Sequence, residues 1–236
     1  MSVPVATSDD ASSTAHLVAR VAELASAVAM RDGFLGAASH ELRNAMAPLV
    51  LLVDAGGASS ERRHAVLARS VKRLGDVVER VAEIAQLRAG KLAVKREPTD
   101  LAALVREVVA MQDPSATVGI DAPAPVVGDW DPALVRQLVR HLVANALAHG
   151  RTGVTVEVRA DARGGVLVVA DAGPGIAPAR RAHLFEPFDE TVGTPPPGTL
   201  GIGLWVIKRL CDEHGGSVAL EDSAQGARFR VVLPRG

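Results

Sequence analysis

The sequence contains no tyrosine, four phenylalanines and two tryptophans, so aromatic residues make up only 3% of it. Apolar residues still account for 48%, and the core must therefore be built mostly from small and branched aliphatic side chains. The one cysteine, Cys211, excludes an internal disulfide and a thiolate metal cluster and suits a reducing cytosol. Within LWVIKRLC it reads as core packing rather than a reactive thiol. Neither sign of charge is in excess. Lys and Arg number 26 against 27 Asp and Glu, a formal net charge of −1, so no general attraction to nucleic acid or to an anionic membrane is expected. Long apolar runs are missing too. The longest, near Pro48 to Val53, falls far short of the ~18 residues a membrane span needs. The opening MSVPVATSDDASS lacks the basic start and apolar stretch of a signal peptide, and residues 1–14 read as a flexible lead-in. These absences predict a cytoplasmic protein with no membrane span.

What is present begins with a heptad. Apolar or small residues fall at Leu17, Val21, Leu24, Val28, Leu35, Ala38, Leu42, Ala45, Leu49 and Leu52, with Arg31 the one break. Steps that alternate between four and three residues mark a coiled-coil or bundle seam. A turn at 54–60 is followed by a second seam at Leu67, Val71, Leu74, Val78, Val81 and Ala85. Two long helices and a short turn make an antiparallel hairpin over residues 15–92. A lone hairpin leaves half of its seam wet, so a homodimer closing a four-helix bundle is expected.

Pro98 marks a boundary, and 98–236 reads as a second domain. Asp100 can cap a helix reaching about residue 112, with short strands near 117–120 and 126–127. Asp131-Pro132, a capping carboxylate followed by proline at the first helical position, starts a helix that runs to about His149. Alternating patterns predict strands at 154–158 and 166–170. A helix over 204–214 and strands at 217–220 and 228–233 close an α/β sandwich. The long Gly- and Pro-rich insertion between Asp171 and Gly203 is expected to be functional.

Several residues carry chemistry. His40 lies between the seam positions Ala38 and Leu42 and projects outward, where a neutral imidazole is a competent nucleophile near pH 7. Glu41 could hold one ring proton, and Asn44 shares the face of His40 one turn later. An isolated exposed histidine is more often a solvated residue, so the second domain decides the matter. Asp171 follows a strand directly, where a buried carboxylate can accept from an exocyclic amino group such as adenine N6. Gly173 and Gly175 let the backbone approach the base. Gly201 and Gly203 precede a helix whose free N–H groups, continuing into Leu204, can meet phosphates. Asn145, polar within an apolar helix face, offers an amide oxygen suited to Mg²⁺. Each signal is weak alone; their order and context count. His16, His64, His183 and His214 read as surface residues.

The sequence resembles sensor histidine kinases with a GHKL (Bergerat) ATP domain, over nearly everything after about residue 15. SHELRNAMAPL is similar to their H-box, RQLVRHLVANALAHG to the N-box, DAGPGIAP to the G1 box, LFEPF to the F-box and TLGIGLWVIKRLCDEHGG to the G2 box. The resemblance implies ATP and Mg²⁺ as cofactors, His40 as phosphoacceptor, Glu41 as its acidic assistant and Asn44 as a residue that positions water for dephosphorylation of a partner. It implies Asn145 as Mg²⁺ ligand, Asp171 as adenine-reading carboxylate, and Gly173, Gly175, Gly201 and Gly203 as nucleotide contacts. His149 could touch the nucleotide, and Phe185 and Phe188 would pack beneath a mobile lid. The implied partners are a second copy, a response-regulator receiver and a separate or missing sensor module. This chain departs from the pattern at Ala45, which replaces a proline, at His141, where a first Asn is common, and at Ala148, where a phosphate-contacting Lys or Arg is common. Its lid at 189–199 also lacks Lys and Arg. The other classes to weigh are an anti-sigma serine kinase of the same ATP fold and a histidine phosphotransfer or scaffold protein with a degenerate ATP domain.

Overall fold

The computed structural model describes residues 20, 33, 35, 36, 38, 39, 42–49, 60–88, 93–112, 117–150, 153–187 and 202–236. The lead-in, His40, Glu41, Phe188, Gly201, the lid at 189–199 and all but the last residue of the turn at 54–60 lie outside the described residues. Two compact units divide the chain, Met1–Leu74 and Gly75–Gly236.

Residues 42–49 are helical. Of the first seam, Ala38 and Ala45 are buried, whereas Leu35 and Leu42 are exposed. Helix α1 spans Ser60–Arg88. Its expected seam is not the stripe that the single chain buries. Leu67, Val71 and Val78 are 45%, 63% and 60% exposed, while Ser70, Val77, Ile84 and Leu87 are buried. A heptad helix in a single chain covers one side and leaves the other without a partner. Among the described residues no helix is long and apolar enough to cross a membrane.

The second unit holds the sheet. Strand β1 (Glu97–Asp100) pairs antiparallel with β3 (Val127–Trp130) in a two-stranded ribbon. Strand β1 was not expected from a segment read only as a boundary: it contains Pro98, which donates nothing to a ladder and is tolerated because the ribbon is all edge. Helix α2 covers Leu101–Ala110. Its predicted cap is present, Asp100 Oδ1 accepting from Ala102 N and from Val126 N, each at 3.0 Å. Helix α3 (Pro132–Gly150) starts at the predicted Asp-Pro pair. Asp131 Oδ1 accepts from Ala133 N at 3.0 Å and Leu134 N at 3.2 Å, and its Oδ2 accepts from Lys95 N at 2.8 Å.

The main sheet has five strands in the order β2-β4-β5-β7-β6, where β2 is Val118–Asp121, β4 Val154–Ala160, β5 Gly164–Ala170, β6 Ser217–Glu221 and β7 Arg228–Pro234. Only β2–β4 is parallel; the remaining pairs are antiparallel. β4 and β7 alternate, burying Val154, Val156, Val158, Phe229, Val231 and Leu233, as expected where one face meets helices and the other meets water. The central β5 is buried almost throughout. Helix α3 packs between α2 and α5 (Gly203–Glu213) and rests on β4 and β5. Among the described residues, the insertion after β5 contains one short helix, α4 (Pro178–Arg181), too brief for periodicity to reveal.

His214 overturns its expected place at the surface. It is 1% exposed. Its Nδ1 donates to Leu210 O at 2.9 Å and its Nε2 accepts from Asp131 N at 3.2 Å. The partners fix a neutral ring with the proton on Nδ1, which serves as an acceptor for the start of α3 rather than as a cation at the end of α5. Cys211 is buried, and burial pushes its thiol up to about 12, so it packs as an inert apolar group.

Candidate functional site

The end of β5 sets the centre of the site. Asp171, the residue after the strand, is 7% exposed. Its backbone N–H donates to Ala227 O at 3.0 Å. Its Oδ1 accepts from Gly173 N at 2.8 Å and Ala227 N at 3.3 Å. Among the described residues, Oδ2 has no protein donor. A buried carboxylate with one oxygen braced and one unclaimed is arranged to receive a hydrogen bond from a ligand.

Close backbone approach shapes the surroundings. A Cβ on Gly173 would lie 2.5 Å from His149 O, and one on Gly150 would lie 2.5 Å from Asp171 Cβ. The end of α3 therefore presses directly on the turn at 171–173, and neither position admits a side chain. Gly175 has φ +72° and Gly226 φ +70°. The latter faces the Asp171 carbonyl so closely that a Cβ there would collide with it. Sequence reasoning missed Gly150, Gly226 and Ala227. The only local signal was a Gly-containing turn, SAQGA, between two strands, and nothing in it announced that the turn grips a residue on β5's end.

The other predicted residues fall as follows. Asn145 lies on α3 among the buried Leu142, Val143 and Ala146. It is half-buried and has no protein partner among the described residues. Such an amide can offer its oxygen to a cation. No group of three or more His, Cys, Asp or Glu that could hold a metal occurs among the described residues, so a Mg²⁺ ion here would depend on Asn145 and on phosphate oxygens, as the ion's preference for substrate ligands allows. His149 and Ala148, at the end of α3, are exposed. Asn44 is half-buried within the helical residues 42–49, in the first unit.

Helix α5 begins at Gly203 with Ile202 as its N-cap and no side-chain cap. Its first helical bond is Val206 N to Ile202 O at 3.0 Å. The amides of Gly203, Leu204 and Trp205 therefore point out of the helix end, with the positive end of its dipole, toward any anion placed there. Phe185 is half-buried and meets Phe229 of β7 edge-on, with ring centroids 6.5 Å apart and planes at 75°. That contact pins the chain where it enters the segment containing Phe188 and the lid. Arg181 anchors the preceding stretch, donating to Ile176 O at 3.3 Å and to Asp222 at 2.9 Å.

Comparison with known proteins gives a consistent picture. The model of histidine kinase-, DNA gyrase B-, and HSP90-like ATPases matches residues 130–236. The probable sensor histidine kinase TcrY of Mycobacterium tuberculosis is 31% identical over 234 residues, covering 93% of this chain and 49% of that protein. Among solved structures, the Acinetobacter baumannii histidine kinase AdeS shares the fold, with a TM-score of 0.65 at 19% identity over 83% of this chain and 95% of that one. Full-length ShkA, solved in complex with AMPPNP, gives a TM-score of 0.62 at 28% identity, over 83% of this chain and 44% of that one. The chain spans about half the length of the curated relatives it matches.

Proposed function

Because residues 130–236 match the model of histidine kinase-, DNA gyrase B- and HSP90-like ATPases, in a chain similar to a probable sensor histidine kinase over most of its length, we propose that the protein is the catalytic core of an ATP-dependent protein-histidine kinase. Residues 15–92 form its dimerisation and phosphotransfer hairpin and 98–236 its ATP-binding domain. It phosphorylates His40 and passes the phosphoryl group to an aspartate of a response-regulator receiver. Asn44 serves the reverse duty, orienting water for dephosphorylation of that receiver.

The observation that carries this reading is the Asp171 carboxylate, buried with Oδ1 braced by two amides and Oδ2 left for a ligand. In this reading Oδ2 accepts from adenine N6, and Gly173 and Gly175 let the base lie against the backbone. The exposed amides at the start of α5 meet the phosphates, which compensates in part for the neutral Ala148. Asn145 would hold Mg²⁺, which supplies charge neutralisation on the phosphates when bound. His40 attacks the γ-phosphorus through its unprotonated ring nitrogen, a P–N bond forms as the bond to the β-phosphate oxygen breaks, and ADP leaves. Glu41 holds the proton on the other ring nitrogen. Phosphoryl transfer asks the protein for position and charge more than for covalent chemistry, and these residues supply that. A scaffold with a silent ATP domain is not favoured, since the Asp171 brace is intact.

Incubation with γ-labelled ATP tests the proposal. The native chain should acquire acid-labile, base-stable label. His40→Gln should abolish labelling while ATP binding stays near its native value. Label that persists in that variant would refute the assignment of His40.

A further inference from the structure

Besides the inert thiol of Cys211, four ionisable side chains are buried among the described residues: Glu83, Asp131, Asp171 and His214. Asp131 caps α3, His214 accepts the Asp131 amide, and Asp171 belongs to the nucleotide site. Glu83 has no part in any of these. It lies on α1, outside the segment matched to the ATPase family, and its Oε1 accepts from His141 Nε2 on α3 at 2.6 Å. The His141 side chain is 16% exposed and that of Glu83 8%. Ile84 and Leu87, beside Glu83 and one turn on, are buried as well. While the two elements stay packed, a carboxylate held away from water needs its partner, and removing one of the pair strands the other in the joined state.

His141 precedes Asn145 by one helical turn, so the pair ties α1 to the face of α3 that carries the proposed Mg²⁺ ligand. The chemistry of the relay gives this tie a consequence. The γ-phosphate of ATP and the receiver's aspartate must reach the same ring nitrogen of His40, each in line, and therefore in turn. The ATP-binding domain cannot keep one seat through the cycle. Glu83 and His141 both belong to the compact unit Gly75–Gly236.

We infer that Glu83 and His141 form a latch that restrains the ATP-binding domain on its own α1, and that His141 acts as a positioning residue, setting how readily His40 is phosphorylated without touching nucleotide. The inference rests on the kinase reading above. The position is one where the resemblance places an asparagine, so His141→Asn is a mild change that shortens the side chain and removes the ring's reach to Glu83. A reciprocal exchange, Glu83→His with His141→Glu, restores the pair with its ends reversed.

Three measurements on the full chain decide the matter. Amide hydrogen exchange over residues 81–88 reads the latch with no catalysis involved, and should be faster in His141→Asn than in the native chain. The initial rate of His40 labelling at saturating ATP should rise several-fold in the same variant, with ATP affinity by calorimetry unchanged, and the exchange variant should return both readouts toward native. Unaltered exchange over 81–88, or labelling that is unchanged or slower, or a shift in ATP affinity that accounts for the rate, would overturn the latch. A native chain that never labels His40 would defeat the kinase reading instead, and the exchange measurement would then decide the latch alone.

Discussion

The two oxygens of Asp171 have separate duties, and a conservative substitution can separate them. In Asp171→Asn the side-chain oxygen can still accept from Gly173 and Ala227, so the turn should keep its shape. The amide nitrogen would then stand where Oδ2 was, a donor facing a donor on adenine. Loss of a charge-assisted hydrogen bond is worth about 1.5–3 kcal/mol, or one to two decades in affinity. Calorimetry with ATP and Mg²⁺ should show that loss, and Asn145→Ala should instead weaken the Mg²⁺-dependent part of binding. Unchanged affinity in both variants would remove the nucleotide site. Asp171 was legible in the sequence because it ends an alternating strand and opens a Gly-Pro-Gly turn. Its brace was not. Ala227 lies 56 positions away, and the contact exists only because β7 pairs with β5, in the register that sets Ala170 opposite Arg228. His214 failed for the same reason. Read locally, a histidine before two glycines at a helix end is a surface cation. Its actual partner, the Asp131 amide, is 83 positions away, and only the packing of α5 beside α3 brings it into reach.

At the scale of elements, patterns of period two placed the main strands and the second heptad run fell on the long helix α1, whereas β1 and α4 escaped. The four residues of β1 include a proline and no alternation, and the four of α4 make barely one turn. Neither can bury a face of its own, so neither leaves a trace in hydropathy. Capping chemistry, by contrast, was legible because it is local. Asp131 bonds the second and third residues after it, and Pro132 needs no donor at that position. Asp131 also does something the sequence hides: its second oxygen holds the Lys95 amide, so the cap of α3 fastens the chain that leads in from α1. Asp131→Ala should therefore cost more than an ordinary cap, which is worth about 1 kcal/mol. A loss of about 2 kcal/mol in urea unfolding is expected, with the slope of the transition unchanged. A loss of no more than about 1 kcal/mol, the worth of the cap alone, would show that the Lys95 amide finds solvent at no cost.

For the molecule as a whole, the exposed apolar side chains of the helical region are the strongest unspent term. Leu67, Val71 and Val78 recur at heptad spacing along one face of α1 and are 45%, 63% and 60% exposed; Leu35 and Met46, in the first unit, are 55% and 50% exposed. Fully burying one such side chain is worth roughly 1.5–3 kcal/mol, and a contiguous exposed stripe on an otherwise well-packed chain marks a partner surface. The partner that fits without further assumption is a second copy, because heptad positions on two hairpins complete each other's seams by two-fold symmetry. The chain should therefore run as a dimer in light scattering at micromolar concentration. Leu67→Glu with Val71→Glu would place four carboxylates in that seam per dimer and should yield monomers. The second unit does not depend on that seam for its own core, so ATP binding should survive in the monomer while the helical content of the hairpin falls. A native monomer, or a dimer untouched by the two glutamates, would mean that the stripe serves some other partner and that the bundle is not how this chain assembles.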